Sequence, residues 1–216
     1  MDLTSFLRLS ARWGREVLIA PGDGCVRVLA LNIDRTAGVE YVMEGVLEGA
    51  VRVDAYQLPR DFESAEVRGG RLIVRVNGEE VALGEPTDMK WNPPRAEKWY
   101  GFPLEAFREV LKFAEWKRER WRERGRRLLE DYCLLEVKGE KLFIRACGRM
   151  FFAELPGCTE ELKVSVRLSN IAEVLKAFEM AGLKPGSIAF TRREGGVLLV
   201  QLRGGWLRAY VAPFIE

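Results

Sequence analysis

The sequence contains no histidine, and this absence excludes several kinds of chemistry. Histidine is the commonest general base, the commonest activator of a nucleophile and the commonest zinc ligand. Glutamine occurs only twice and asparagine four times, whereas arginine and glutamate are abundant. This balance favours a thermophilic source.

The chain also lacks a long apolar run. None of its apolar stretches approaches the roughly 20 residues that a membrane helix needs. The first residues, Met1-Asp2-Leu3-Thr4-Ser5-Phe6, do not show the basic region followed by an apolar region of a secretory signal. We therefore expect a cytoplasmic protein that does not associate with membranes.

Cysteine and the acidic residues show no spacing that is typical of a metal or catalytic site. The four cysteines are Cys25, Cys133, Cys147 and Cys158. We expect them to be small buried residues, with a disulfide between two of the last three as the alternative. The acidic pairs 54 with 61 and 160 with 161 come without a nucleophile, a base or a phosphate loop. We therefore predict no metal, no cofactor and no enzymatic activity.

The sequence does contain enough apolar residues for a packed core. Hydrophobic residues occupy 48% of its 216 positions, which suits one large domain or two of about 100 residues. The net charge is only +2, but it is unevenly spread. Residues 1–89 carry ten basic and fifteen acidic groups, whereas residues 112–127 carry eight basic and three acidic groups. This local positive field matters more to an anionic partner than the overall charge does.

Three prolines without apolar periodicity predict an extended connector at residues 85–97, between domains at 1–84 and 98–216. Alternating apolar residues and turn glycines predict a strand, a helix and three strands, twice over, in the second domain. Pro103 suits the first turn of the first of these helices, and Ser169 or Asn170 can cap the second. The predicted strands are 98–102, 132–137, 141–146, 150–155, 162–166, 187–192, 197–203 and 206–213.

The first domain repeats this arrangement in a shorter form. A helix with Leu3, Phe6 and Leu7 on one face comes so early that the strand before it is short or missing. A second, short helical segment is predicted around residues 54–62. The predicted strands are 16–20, 25–33, 39–43, 50–53, 65–68, 71–76 and 79–83. Four copies of one unit indicate an α+β fold with internal repeats.

Several local motifs resemble those of the DNA sliding-clamp family. The run Phe-Arg-Glu-Val-Leu-Lys-Phe-Ala at 107–114, followed by Leu-Leu-Glu-Val at 134–137, is similar to the start of a bacterial β-type clamp domain. Residues 51–58 followed by 70–74 are similar to the second half of such a domain, and residues 207–215 resemble the family's aromatic, proline and apolar ending. The resemblance implies two clamp-type domains with antiparallel sheets outside and helices inside. The chain departs from β-type clamps in having two domains and not three, and a longer segment at 115–127.

The resemblance also implies a function. It suggests a DNA sliding clamp, a processivity factor for DNA replication that encircles duplex DNA and tethers a DNA polymerase through a short hydrophobic peptide. Six domains make the family's ring, so the resemblance implies a head-to-tail homotrimer. The implied partners are double-stranded DNA, a DNA polymerase and, where the ring must be opened, a clamp loader.

Basic residues on the predicted helices are the candidates for contact with DNA. Phosphate contacts hold a duplex loosely and without regard to sequence, which permits sliding. A solvated, salt-bridged helix face is the alternative interpretation of the basic segment. The candidates are Arg8, Arg12, Arg15, Arg60, Lys112, Lys117, Arg118, Arg120, Arg122, Arg124, Arg126, Arg127, Lys176 and Lys184.

Apolar residues near the connector and the last strand are the candidates for a pocket that takes a partner's peptide. Ordinary packing of the last strand is the alternative, although an apolar ending needs either cover or a partner. The candidates are Leu83, Pro86, Tyr210, Val211, Ala212, Pro213, Phe214 and Ile215.

Two other functions remain open on the sequence alone. One is a monomeric or dimeric processivity factor of the same fold that grips DNA without forming a ring. The other is a protein-interaction module in which the basic segment 112–127 binds an acidic protein partner.

Overall fold

A computed structural model describes residues 2–91, 93–94, 96–123, 131–192 and 198–214. These residues contain three α-helices, α1 (Leu3–Trp13), α2 (Leu104–Glu123) and α3 (Leu168–Met180). Their strands are β1 (Glu16–Pro21), β2 (Cys25–Leu31), β3 (Ala37–Glu44), β4 (Ala50–Asp54), β5 (Ser64–Arg68), β6 (Arg71–Val76), β7 (Glu79–Leu83), β8 (Glu85–Thr87), β9 (Tyr100–Gly101), β10 (Tyr132–Lys138), β11 (Lys141–Ala146), β12 (Arg149–Glu154), β13 (Glu161–Arg167), β14 (Ser187–Arg192), β15 (Leu198–Gly204) and β16 (Leu207–Val211).

The elements follow one another as four repeats of one pattern. The first repeat is α1 with β1 to β3, and the second is β4, a 3₁₀ turn at Ala55–Gln57 and β5 to β7. The third is β9, α2 and β10 to β12, and the fourth is β13, α3 and β14 to β16. In the described residues no strand precedes α1, as the sequence pattern predicts. The predicted α+β fold class is confirmed.

In three of the four repeats the strands are joined by a strand from a neighbouring repeat. Strand β4 pairs antiparallel with β1 in the order β4–β1–β2–β3, and β13 pairs with β10 in the order β12–β11–β10–β13. Strands β5, β6 and β7 form a sheet of only three, since the first repeat offers no leading strand among the described residues. The Ala65 N–H at the edge strand β5 donates instead to the Thr4 hydroxyl of α1, at 3.0 Å. Strand β9 likewise pairs with β14, which pairs with β15.

The chain divides into two compact units. The first unit comprises residues 1–93, 177–183 and 206–209, and the second comprises residues 94–176, 184–205 and 210–216. Alternating strand residues fill each core. Val74 and Leu72 of β6 are fully buried in the first unit, and Leu135 and Ile144 of β10 and β11 are fully buried in the second.

Helix α1 is fixed at its start and along one face. Asp2 Oδ1 accepts the Ser5 N–H at 2.8 Å, and this N-cap satisfies a donor that the first turn of the helix leaves unpaired. The helix buries Leu3, Phe6 and Leu7, and the Phe6 ring stacks on Tyr41 of β3 with centroids 5.8 Å apart. The sequence therefore determines this helix locally, through its cap and its apolar face.

The helical segment predicted around residues 54–62 is only a single 3₁₀ turn. Leu58, which follows the turn, is extended, with φ of −68° and ψ of 122°. Pro59 comes next, and a proline disfavours helical dihedral angles in the residue before it. The proline therefore explains why the turn does not continue as a helix.

The start of the predicted connector is a short strand. Residues 85–87 form β8, which pairs with the outer edge of β4. Gly84 leads into it with a φ of 73°, and a Cβ at this position would lie 2.5 Å from the Arg52 carbonyl oxygen. Only glycine suits such a conformation and so close an approach of two backbone segments.

Helix α3 receives its cap from a distant residue. The helix begins at Leu168, so Ser169 and Asn170, the predicted caps, lie within its first turn. Both the N–H and the hydroxyl of Ser169 donate to the carboxylate of Asp131, the N–H at 3.2 Å. The capping group thus lies 38 residues away in sequence, beyond what local sequence could indicate.

Candidate nucleic-acid interface

Three of the predicted DNA-binding arginines lie together on and just after α1. Arg8, Arg12 and Arg15 are all exposed. Arg8 donates to the Phe62 carbonyl oxygen, and its guanidinium lies 5.5 Å from the centre of the Phe62 ring. The Arg15 guanidinium lies 5.8 Å from the centre of the Tyr56 ring. Arg8 and Arg15 thus hold the segment after β4 while their charges stay at the surface.

The same surface includes an exposed aromatic ring and a fourth cation. Tyr56 is 65% exposed, and Arg60, four residues further on, is exposed as well. A flat ring among guanidinium groups suits a nucleic acid, because phosphates attract the cations and bases stack on the ring. The structure therefore places Arg8 beside Phe62 and Arg15 beside Tyr56, all in the first unit.

Two of the predicted cations of α2 make contacts within the second unit. Lys117 donates to the Cys147 carbonyl oxygen. Arg118 Nη2 lies 2.5 Å from Asp131 Oδ1 in an ion pair. Lys112 and Arg120 are exposed. Lys117 and Arg118 thus fasten α2 to its unit.

The exposed face of α2 carries both signs of charge. Arg108 pairs with Glu105 at 2.8 Å, one turn earlier on the helix. The exposed acids of this face are Glu105, Glu109, Glu115 and Glu119, and its exposed cations are Arg108, Lys112 and Arg120. This part of the helix is therefore close to neutral. The positive excess of the segment rests on Arg122, Arg124, Arg126 and Arg127, whose side chains lie outside the described residues.

Aromatic rings and guanidinium groups alternate where α2 meets β12. Phe113 stacks on Trp116 with centroids 5.6 Å apart and meets the Phe151 ring edge-on at 5.8 Å. Arg120 lies 4.6 Å from the centre of the Trp116 ring, and Arg149 lies 5.2 Å from that of Phe113. Trp116 remains 47% exposed. The surface is thus both aromatic and cationic.

The remaining predicted cations belong to the last helix and to the residues after it. Lys176, near the end of α3, and Lys184, which follows the helix, are both exposed. The neighbouring positions Glu173 and Glu179 on α3 are also exposed. The charge of this helix surface is therefore mixed.

The residues predicted to form a peptide pocket are distributed over both units. Leu83 is half-buried at the end of β7 and Pro86 is exposed on β8, both in the first unit. Tyr210 and Val211 of β16 are buried in the second unit, so their side chains are not available to a partner. Residues 212–214 are half-buried, and the predicted contact residue Ile215 lies outside the described residues.

Phe214 packs against the chain itself. Its N–H donates to the Ser165 carbonyl oxygen at 2.7 Å. Its ring stacks on Tyr132 with centroids 5.9 Å apart and planes 5° apart, and the Arg167 guanidinium lies 5.5 Å from its centre. The structure therefore shows Phe214 as an occupant of a slot, whereas the sequence suggested that it lines a pocket.

The sequence reasoning missed an exposed apolar surface on β12. Phe152 is 74% exposed and Met150 is 56% exposed, and β12 is an edge strand of its sheet. The signal was present, because residues 150–153 are apolar at every position and do not alternate. Alternation predicts the strand, and the apolar residues in excess of that alternation indicate its exposed surface.

Titrating groups in the second unit serve the packing of the fold. Burial raises the pKa of the Cys133 thiol to about 12. Burial and a hydrogen bond to Glu160, at 2.8 Å, raise the pKa of the Tyr100 hydroxyl. None of the four cysteines forms a disulfide. In the described part of the chain no three cysteine or acidic side chains converge as metal ligands, and none of its helices is long and apolar enough to span a membrane.

Comparison with known proteins gives matches in structure alone. No protein-family model and no curated protein sequence matches the chain. A putative DNA polymerase III beta subunit from Eubacterium rectale matches with a TM-score of 0.64 and 12% identity, over 98% of this chain and 63% of its own. The DNA polymerase III subunit beta from Pseudomonas aeruginosa matches with a TM-score of 0.63 and 16% identity, over 97% of this chain and 62% of its own. The predicted clamp-type fold is therefore confirmed, in a chain that spans less than two thirds of those subunits.

Proposed function

We propose that the chain is a subunit of a DNA sliding clamp, a processivity factor that encircles duplex DNA and tethers a DNA polymerase. The observation that carries the proposal is a fold shared with DNA polymerase III beta subunits over nearly the whole chain. The mechanism is topological. A closed ring cannot leave a duplex sideways, so weak and salt-sensitive phosphate contacts are enough to guide it. The protein then needs no catalytic group of its own.

The DNA-facing residues of this proposal are the exposed cations of the helices. Arg8 and Arg12 on α1 and Lys112 and Arg120 on α2 combine exposure with a helical scaffold, and Arg15, just after α1, is exposed as well. Contacts from these side chains to phosphates carry no sequence information, which is what a sliding protein requires.

Ring formation is proposed to join the free edges of the two smaller sheets. In the described residues no strand pairs with the outer side of β7 or of β12. Strand β7 exposes Glu79, Glu80 and Val81, whereas β12 exposes Met150 and Phe152 beside the basic residue Arg149. Unlike edges favour a head-to-tail contact, and such a contact closes into a ring when the rotation between copies permits it. With two units in each chain, a ring of six units is a homotrimer.

The test of assembly is the mass of the protein in solution. Light scattering at micromolar concentration should give three times the chain mass. The matched variants are Phe152→Ser on the β12 edge and Lys141→Ser on the next strand of the same sheet. The first variant should reduce the mass to that of the monomer, and the second should not. A monomeric wild-type protein, on DNA and off it, would contradict the ring.

The test of encirclement uses DNA topology. Protein bound to nicked circular plasmid at low salt is challenged with salt of about 0.5 M, and the plasmid is then cut once. A ring should stay on the circle and leave after the cut, whereas an open DNA-binding protein should leave at the salt step. The double variant Arg8→Ala with Arg12→Ala should reduce the salt dependence of the initial binding by about two phosphate contacts, at a slope of roughly 0.9 each.

The mixed charge of α2 favours a second candidate function. Four acids and three cations share its exposed face beside the half-exposed Trp116, a pattern that suits a protein partner as well as it suits DNA. In that case the protein is an interaction module. Trp116→Ala would then abolish binding to the partner and leave binding to plasmid DNA unchanged.

A further inference from the structure

A slot for one aromatic ring lies at the β13 edge of the four-stranded sheet. Tyr132 of β10 and Arg167 of β13 are direct partners in the antiparallel register. Directly opposed residues project from the same face of a sheet, so the ring and the guanidinium stand side by side. Ser165, two residues before Arg167, directs its backbone carbonyl oxygen to the occupant of the slot.

The present occupant is bound as a short peptide would be. Residues 212–214 follow β16 and make no regular structure. Their described contacts to the slot are one backbone hydrogen bond to Ser165, one ring stack on Tyr132 and one guanidinium over the ring. A peptide that adds to an exposed sheet edge, a common mode of recognition, makes backbone hydrogen bonds of this kind. Phe214 itself is only half-buried.

We propose that Tyr132, Ser165 and Arg167 form a binding site for the aromatic residue of an extended peptide, and that Phe214 occupies this site in the free protein. The ligand is a segment of a partner protein in which an aromatic residue follows a proline. The aromatic N–H donates to the Ser165 carbonyl oxygen, and its ring enters between Tyr132 and Arg167. Proline suits the preceding position, because Pro213 stands there and no donor is required of it.

Phe214 competes with a partner peptide for this site. Phe214 is covalently attached, so its effective concentration at the slot is about millimolar or higher, as for a short flexible linker. A partner peptide must displace it. The free protein therefore binds such a peptide weakly, and any event that draws residues 212–214 away opens the site.

The test measures binding of a labelled peptide to the full-length chain. The probe is fluorescein-labelled Tyr-Val-Ala-Pro-Phe, the sequence of residues 210–214, and the readout is fluorescence anisotropy. The Phe214→Ala variant should bind it at least about tenfold more tightly than the wild type, because the tethered competitor is gone. A probe ending in alanine should not bind.

Second-site variants show which side chains hold the ring. In the Phe214→Ala background, Tyr132→Ala should abolish binding and Arg167→Gln should weaken it several-fold. Arg145→Gln in the same background is the matched control, since it removes an exposed guanidinium group of the same sheet, on β11. It should leave the affinity unchanged.

Two outcomes would overturn the proposal. Equal affinity of the wild type and the Phe214→Ala variant would show that Phe214 does not compete. No binding to a Phe214→Ala variant that keeps the wild-type unfolding transition would show that the slot only packs the chain. Phe214→Leu, which keeps an apolar side chain without a ring to stack, provides the same readout if the alanine variant does not fold. Neither DNA nor polymerase is in the assay, so its outcome is separate from that of the clamp proposal.

Discussion

The two smaller sheets have similar inner faces and very different outer faces. On the three-stranded sheet of the first unit, Arg68 bridges Glu66 and Glu80, and Arg75 also reaches Glu80. On the four-stranded sheet of the second unit, the outer face ends in the exposed side chains of Met150 and Phe152. The charged side chains of the first outer face thus pair with one another, whereas the second outer face exposes apolar side chains that a partner would cover.

This difference indicates that the alternation within the repeat determines the apolar residues of the inner face. The residues of the outer face vary between the two sheets. Alternation places Leu72 and Val74 of β6 inward, and it places Leu142 and Ile144 of β11 inward in the same way. The outward positions of the edge strands differ, with Glu80 and Ala82 on β7 and Met150 and Phe152 on β12. Variants of the two sheets can therefore be compared position by position.

The largest effect is expected from the inner faces. Ile144→Ala and Leu72→Ala each delete a fully buried side chain, and each should lower the free energy of unfolding by about 2–5 kcal/mol. Chemical denaturation of both variants measures this. Similar losses would confirm that the inner faces are equivalent. A loss below about 1 kcal/mol at Leu72 alone would show that the three-stranded sheet packs loosely.

The next largest change in the free energy of unfolding is expected from the polar contacts that join each sheet to its helices. Asp131 joins Arg118 of α2 to Ser169 of α3, whereas the three-stranded sheet has the bond from Ala65 to Thr4 of α1. Asp131→Ala removes a cap and an ion pair and should cost about 1–2 kcal/mol. Thr4→Ala removes one hydrogen bond and should cost about 0.5–1.5 kcal/mol. Thr4→Ser, which retains the hydroxyl, is the control, and a larger loss at Thr4 than at Asp131 would reverse the comparison.

The sequence predicts most of the helices and strands because residues close together in the sequence determine them. Alternating residues locate β10 and β11, and the apolar face of Leu3, Phe6 and Leu7 locates α1. The helix predicted after β4 is cut short for a reason that is also local, the proline at position 59. Local patterns therefore suffice for the elements.

The sites are less predictable because they depend on partners that are distant in sequence. Lys117 and Arg118 stand in a basic run, yet their partners are Cys147 and Asp131. No spacing within residues 112–127 reveals these contacts. The place of Phe214 likewise depends on the register of β10 and β13. Charge patterning identified the cations but not which of them remain without a contact inside their own unit.

A smaller change in stability is expected on the apolar outer face, although its effect on assembly is large. Phe152→Ser removes a ring that is 74% exposed, so the free energy of unfolding of the monomer should change by less than about 0.5 kcal/mol. Self-association should weaken by at least tenfold if this face is covered by a second copy. Arg71→Ser, on the exposed outer face of the three-stranded sheet, is the counterpart that should change neither quantity. Equilibrium sedimentation measures association, and an unchanged constant for Phe152→Ser would remove β12 from the interface.

The smallest effect is expected in the charge network of the three-stranded sheet. The hydrogen bond from Arg68 lowers the pKa of the Glu80 carboxyl below its ordinary 4.5. A carboxyl whose pKa is lower in the folded chain than in the unfolded chain stabilises the fold at pH values above its pKa in the unfolded chain. That contribution is lost as the pH falls through its pKa in the folded chain. The melting temperature of the wild type should therefore exceed that of Glu80→Gln at pH 7, and the difference should close below pH 4.5.

The salt dependence of this effect is a second measurement. Salt of about 1 M should reduce the Glu80 effect, since the pair lies at the surface. On the other sheet, the hydrogen bond from Lys138 lowers the pKa of Glu136, which is only 13% exposed. Glu136→Gln should therefore show the same pH dependence with less sensitivity to salt. Equal salt sensitivity of the Glu80→Gln and Glu136→Gln effects would mean that salt screens the charges of the two outer faces equally. The two faces would then differ in apolar surface alone.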